Sequence, residues 1–437
     1  YLQGRFHFHK RTEASLTLAV RYFRRALEQD PGYAQAHSGL ADALCLQSTG
    51  FYGNMCAEEA LAEALPAAKR ALELAPDSAE AHATIGLISQ LQQDFDGAVA
   101  SLERAISLNP NYALAYVWLG LAHLSQRRYA EAERRNAEVL RLDPLSPIVN
   151  ANSGFDAFRH GRYDEAEKRF RNVIELDPTF PVAYSGLARV RVTRGEVDDA
   201  LRWQEKAIER APTVAYYLAR KGYILLQAGR TDAARKWFDT ARTSSLDKHF
   251  LSDIFVGVAI ATDDRDSLRA IAADQGLFGE PQRALALLTL GDPTAALALY
   301  EQDCPDHATV LHEIVNYEML WRIPHANFRA LAKRRNGDES AAADIEAYLD
   351  AARVLWDQAI VNPDIHYWAA ASHALLGRHD EACAELGKAC ELGWRSTWWA
   401  ARDPCMDALR EDDRYIRIIA EAEELLRVSA AGIRANG

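Results

Sequence analysis

Ala105-Ile106-Ser107-Leu108-Asn109-Pro110 and Val173-Ile174-Glu175-Leu176-Asp177-Pro178 are two copies of one phrase: a helical stretch, then Asn or Asp, then proline. The proline recurs as Pro76, Pro110, Pro144, Pro178 and Pro212, four intervals of 34 residues without a slip. Proline offers no backbone N–H, so each copy stops one helix and can open the next element, with Asn109, Asp143 or Asp177 at the turn. At about 150 residues per domain the length alone suggests about three domains, but a strict period of this size indicates an array of stacked units instead.

The units around these prolines resemble the tetratricopeptide repeat (TPR), whose pattern is W-x2-L-G-x2-Y, A-x3-F and a closing P. The third unit carries Ile85, Gly86, Ala98, Leu102, Ala105 and Pro110; the fourth carries Tyr116, Leu119, Gly120, His123, Ala132 and Pro144. The fifth has Gly154, Ala166, Phe170 and Pro178, and the seventh has Gly222, Ala234, Phe238 and Ala241 but Leu246 in place of proline. The resemblance implies an all-α TPR solenoid, a right-handed superhelix of antiparallel helix pairs. Small residues in the pattern let paired helices approach closely, while the larger ones fill the layer between units.

Two departures organise the chain. Pro31 to Pro76 spans 45 residues, 11 more than the period, and the surplus falls at Leu46-Gln47-Ser48-Thr49-Gly50-Phe51-Tyr52-Gly53-Asn54. This Gly/Ser/aromatic stretch is expected to be a loop or helix extension, either packing its own aromatics or covering a ligand. After Asp247 the spacing fails while helical periodicity continues, with helices expected near 250–261, 266–273, 281–290, 293–302, 308–321, 325–335 and 339–361. A recognisable unit returns at 365–392 with Trp368, Gly377, Ala382, Leu386 and Ala389 in the repeat's slots. The expected organisation is a regular array over 1–247, with an insertion near 46–54, then degenerate helical repeats over 248–361. A final TPR-like unit and C-terminal capping helix follow over 362–437.

The two ends carry a further resemblance. Tyr1-Leu2-Gln3-Gly4-Arg5, the run 26–42, the Gly393-Trp394-Arg395 turn and the Leu409-Arg410-Glu411-Asp412-Asp413-Arg414-Tyr415 ending are similar to the repeat regions behind bacterial winged-helix transcription regulators and class III nucleotide cyclases. The resemblance implies a regulatory or sensory module whose output domain precedes Tyr1. No positively charged, apolar leader follows Tyr1, so the expected compartment is the cytoplasm, or the periplasm if a membrane segment lies upstream.

Composition excludes several function classes. The formal charge of −12 is uneven: 31 Lys+Arg balance 31 Asp+Glu up to Asp247, and 19 face 31 beyond it. A neutral half and an acidic half argue against a nucleic-acid groove. The longest apolar run, 254–260, is too short to insert in a membrane, where about 20 residues are needed. Six cysteines without a C-x-x-C read as buried hydrophobes, with Cys45 and Cys56 the one pair close enough in sequence to bridge a short loop. No phosphate loop, nucleophile elbow or H-E-x-x-H helix occurs. His312-Glu313 lacks a second ligand, His7/His9 and His366/His373 lack a third, and Asp198-Asp199 and Asp263-Asp264 fall at helix starts as caps. The expectation is no catalytic residue, no metal and no cofactor.

What remains is a surface. In the repeat family the first helix of each unit lines a concave groove. The matching positions here include Leu87, Leu114, Val117, Leu121, Leu124, Phe155, Phe158, Arg159, Arg189, Tyr216 and Tyr223. The resemblance makes these a peptide-binding wall, unless superhelical curvature buries them. The Lys and Asn that hold a chaperone's C-terminal carboxylate in some repeat domains are absent: Ala83, Val117, Leu87, Leu121 and Phe155 stand there. The expected partner is a protein or peptide, with self-association left open; the alternative is a small molecule held beneath the 46–54 insertion.

Overall fold

The fold was obtained as a computed structural model, which describes residues 1–244, 251–274, 276, 278–303 and 325–434. Seven helix pairs form the first array: α1 (Leu2–Lys10) with α2 (Glu13–Gln29), α3 (Ala34–Gln47) with α4 (Ala57–Leu74), α5 (Ala79–Leu91) with α6 (Phe95–Leu108), and α7 (Ala113–Ser125) with α8 (Tyr129–Leu142). Then come α9 (Pro147–Arg159) with α10 (Tyr163–Leu176), α11 (Pro181–Thr193) with α12 (Val197–Arg210), and α13 (Ala215–Gln227) with α14 (Thr231–Ser244). Helices pack on their pair mates and on the next unit, and most successive odd-numbered helices also touch one another along the inner wall.

The period is written into the turns between units and within them. Six residues after a unit-closing proline, His37, His82, Tyr116, Asn150 and Tyr184 each hydrogen-bond the carbonyl of Pro31, Pro76, Pro110, Pro144 and Pro178, at 2.8–3.1 Å. Inside the units, Gln93, Arg127, Gly161, Gly195 and Gly229 sit 34 residues apart with φ between 61° and 80°, the left-handed turn that reverses the chain. Asp263, another 34 residues on, has φ 52°. The register thus continues one unit past Asp247, where the missing proline hides it.

Packing between units follows the Gly and Phe slots. The Phe170 ring lies so close to Gly154 of its own unit and Gly186 of the next that a Cβ at either glycine would fall 2.6–2.8 Å from it. Phe23 stands in the same relation to Gly4 and Gly39. Unit four departs from this: Asn136 occupies the slot opposite Gly120 and donates to Asp156, which also pairs with Arg159. A buried polar triad therefore replaces an apolar layer between units four and five.

Beyond the array come α15 (Ser252–Ala261), α16 (Arg265–Ala273), α17 (Glu280–Leu290), α18 (Pro293–Asp303), α19 (His325–Arg335) and α20 (Ala341–Asp357). The helix expected at 308–321 lies outside the described residues, as do Cys304 and His312-Glu313. The last unit is α21 (Pro363–Leu375) and α22 (His379–Glu391), followed by α23 (Thr397–Ala400), a 3-10 turn (Pro404–Leu409) and α24 (Asp413–Arg434). Its core is aromatic: Tyr367 stacks on Trp394 at 4.4 Å, and Trp368, Trp399 and Phe328 meet edge to face. The Asp403 carboxylate accepts from the Tyr367 hydroxyl, the Trp399 indole and the Cys405 N–H at 2.8–3.0 Å, which ties the final turn to this core.

Candidate binding surface

The inner wall is built by the odd-numbered helices of the array, as repeat spacing requires, but it is not an open stripe. Leu87, Leu114, Val117, Phe155, Arg159 and Tyr216 are buried; Leu121, Leu124, Phe158, Arg189 and Tyr223 are half-buried. Phe155 belongs to the core, its ring 5.0 Å from Phe170. Arg159 turns inward to Asp156. Packing within the array covers part of the wall, and two distant segments of the same chain lie on it as well.

The first segment is the insertion, residues 48–56, which crosses from unit two to units six and seven. Asn54 clamps unit seven with both ends of its amide: Nδ2 donates to the Thr213 carbonyl at 2.7 Å, and Oδ1 accepts from the Ala215 N–H at 3.0 Å. The Tyr217 hydroxyl donates to the Phe51 carbonyl, and the Phe51 ring lies 4.5 Å from Tyr216. Beneath Tyr52 lies Arg11, its guanidinium 5.6 Å from the ring centroid. Arg11 and Asp42 are each about 2% exposed or less, and Arg11 Nε and Nη2, Asp42 Oδ2 and the Tyr112 hydroxyl meet no protein partner. Burial lifts the Asp42 carboxyl to about 7, although Arg5, Arg11 and a 2.8 Å bond from Thr84 all favour its ionised form.

The second segment is the connection from α20 to α21 together with the turn after α22. The Val361 N–H donates to the Arg159 carbonyl at 2.8 Å, and the Val361 side chain covers Gly161, where a Cβ would come within 3.1–3.2 Å of it. The Tyr129 N–H donates to Gln358 Oε1 at 3.3 Å, and the Tyr163 hydroxyl to the Leu392 carbonyl at 3.3 Å. Ser396 receives the Gln227 amide at 2.8 Å and meets the Tyr223 hydroxyl at 3.3 Å. Arg189 lies 4.9 Å over Phe158, and Arg220 within 6 Å of both Tyr216 and Tyr223, so cations are stacked on the wall's aromatic rings. Asp364 lies within electrostatic reach of both guanidinium groups; burial lifts its carboxyl to about 6 against their pull. Asp364, Arg220 and Ser396 escaped sequence reading, and Asn54 was read only as part of the insertion. A charged residue inside an otherwise apolar inner helix, as at Arg189 and Arg220, is the signal that marks such a wall.

Among the described residues no group of three or more His, Cys, Asp or Glu side chains is placed to hold a metal, and no helix is long and apolar enough to cross a membrane. Cys45 and Cys56 are free thiols, with Cys45 buried in the core and Cys56 capping α4.

Tetratricopeptide-repeat models match residues 15–50, 92–147 and 205–247, and residues 157–222. Similar solved structures include a thermophilic TPR protein of Thermus thermophilus, at 23% identity over 39% of this chain and 93% of that one, with TM-score 0.36. Pseudomonas aeruginosa PilF is similar at 17% identity over 52% and 98%, with TM-score 0.39. YrrB, a TPR protein with an unusual peptide-binding site, is similar at 21% identity over 44% and 92%, with TM-score 0.29. No curated protein matches the sequence significantly. The chain carries tetratricopeptide repeats and folds as a TPR solenoid.

Proposed function

We propose that this solenoid is a non-catalytic scaffold that binds a protein or peptide on its inner wall and serves as the sensory arm of a bacterial regulator. One observation carries the binding reading: the wall already accommodates a short connecting segment, through a backbone hydrogen bond from Val361, beside rings overlaid by Arg189 and Arg220. Aromatic and arginine side chains at the centre of a concave surface are the groups that anchor partners. The similarity of the chain's ends to regulator repeat regions supports the regulatory placement.

A peptide-display selection against the full chain tests this. Enriched peptides are expected to lose at least tenfold in affinity with Phe158→Ala plus Tyr223→Ala while helicity is retained. A selection that enriches nothing above the bare support contradicts the scaffold reading.

A second reading, a small anionic ligand beneath the insertion, is favoured by the unmet N–H groups of Arg11 under Tyr52. Two such donors in one guanidinium plane suit a carboxylate. Small carboxylates at millimolar concentration should then raise the melting temperature of the protein but not of Arg11→Met; equal shifts in both count against it.

A further inference from the structure

The segment on the inner wall touches it at regular steps. Gln358 accepts from the Tyr129 N–H, at the start of α8. Three residues on, Val361 donates to Arg159 and covers Gly161, at the end of α9. Three residues further, Asp364 faces the field of Arg189 on α11 and Arg220 on α13. Successive units of the array thus meet successive third residues of the segment. The residues between, Ala359, Ile360, Asn362 and Pro363, include Ala359 at φ 55°, a buried Ile360 and a proline at the first helical position.

The wall contacts of Gln358, Val361 and Asp364 are few and mostly polar. The last unit's aromatic cluster of Trp368, Trp394 and Trp399, joined by Phe328 of α19, is continuous with the core of units six and seven, and Gly393 packs closely on Thr193; residues 358–364 themselves meet the inner wall through two hydrogen bonds and a methyl-to-glycine contact, with Asp364 in the field of Arg189 and Arg220. Interfaces of this polar kind between parts of one chain are the ones that open.

The geometry points to Gln358-x-x-Val361-x-x-Asp364 as a built-in ligand: the inner wall of units four to seven recognises a partner segment that presents an amide, an apolar side chain and a carboxylate as this turn between two helices does, at i, i+3 and i+6, and the partner binds by displacing this segment. The inference rests on the scaffold reading and specifies its partner. The two guanidinium groups supply the charge complementarity for the acidic position. Gly161 leaves room for the apolar one, since any side chain there would occupy the space that Val361 fills.

The test uses the full chain and a fluorescein-labelled peptide of residues 356–367. Asp364→Lys places a cation against Arg189 and Arg220 and is expected to release the segment without unfolding the last unit's core. The peptide should bind Asp364→Lys at least tenfold more tightly than the unsubstituted chain in an anisotropy titration. A peptide with Lys at the aspartate position should bind the variant at least tenfold more weakly than the parent peptide. Hydrogen exchange should increase across 357–364 in the variant. Where Asp364→Lys fails to fold by circular dichroism, Val361→Glu, in the connection between helices, replaces it. Equal binding to variant and parent overturns the inference, as does a released segment with no peptide binding. Dimerisation of the variant without peptide binding also overturns it and assigns the wall to a second copy of the chain. Display-selected peptides that bind while residues 356–367 do not would sink this inference alone and leave the scaffold reading standing.

Discussion

Phe170→Ala is expected to destabilise the array by about 3–5 kcal/mol, the range for removing a fully enclosed phenylalanine ring. The side chain is inaccessible to solvent and wedged between Gly154 and Gly186, two glycines that present backbone where other residues would present side chains. Neither neighbour has an atom to move into the space, and the 5.0 Å contact to Phe155 is lost as well. The effect should also be local. Each unit of a solenoid contacts only its neighbours, so units five and six are expected to unfold ahead of the rest and the single denaturant transition to broaden or split. Hydrogen exchange across 147–193 during a urea titration reads this directly. A cost below about 1 kcal/mol would show that the layer closes over the gap, and that the glycine slots do not hold the ring.

The second large effect is a pH dependence centred on Asp42. Its carboxyl lies at about 7 in the folded chain against an ordinary value of 3.8, because burial outweighs Arg5, Arg11 and the Thr84 hydrogen bond, with Glu80 adding a further upward push. A folded value above the unfolded one means that the folded chain holds more protons between them. The stability this group contributes is therefore full below about pH 4 and is lost as pH rises through about 7. Asp42→Asn removes the titration while retaining a side-chain oxygen for Thr84. The stability of the parent relative to Asp42→Asn should fall by a few kcal/mol between about pH 4.5 and about pH 7.5, with a slope of up to about 1.4 kcal/mol for each step of one in pH, and level off above that. The comparison isolates Asp42 from other groups that titrate over the same range. Parallel stability curves for the two proteins would mean that Asp42 is charged and compensated throughout.

Much of the fold was legible because the repeat is a local code. Pro110, Gly120, Ala132 and their counterparts act over a few residues or between adjacent helices, so a fixed spacing is enough to specify helix, turn and pair. The proline carbonyls answered by His82, Tyr116 and Tyr184 are contacts of this kind. Where the code weakens, the reading stops early: with Leu246 in place of the closing proline, the unit that turns at Asp263 is hidden although its backbone keeps the register. The triad that replaces a ring at Asn136 went unread, since its partners Asp156 and Arg159 come from the next unit.

The inner wall shows where local reasoning ends. The repeat resemblance places Phe155, Phe158, Arg189, Tyr216 and Tyr223 on the first helices of their units, and which face of a helix a residue occupies depends only on its neighbours in sequence. Whether that side meets solvent depends on contacts such as Asn54 with Thr213 and Gln358 with Tyr129, which join residues 159 and 229 apart. No period relates those pairs. They exist because the superhelix curls until its insertion reaches unit seven and its last unit lies against units four to seven, and that closure is a property of the summed geometry of many units. Helix, turn and face were therefore decided residue by residue along the chain, whereas occupancy of the wall was decided only when the whole array had folded.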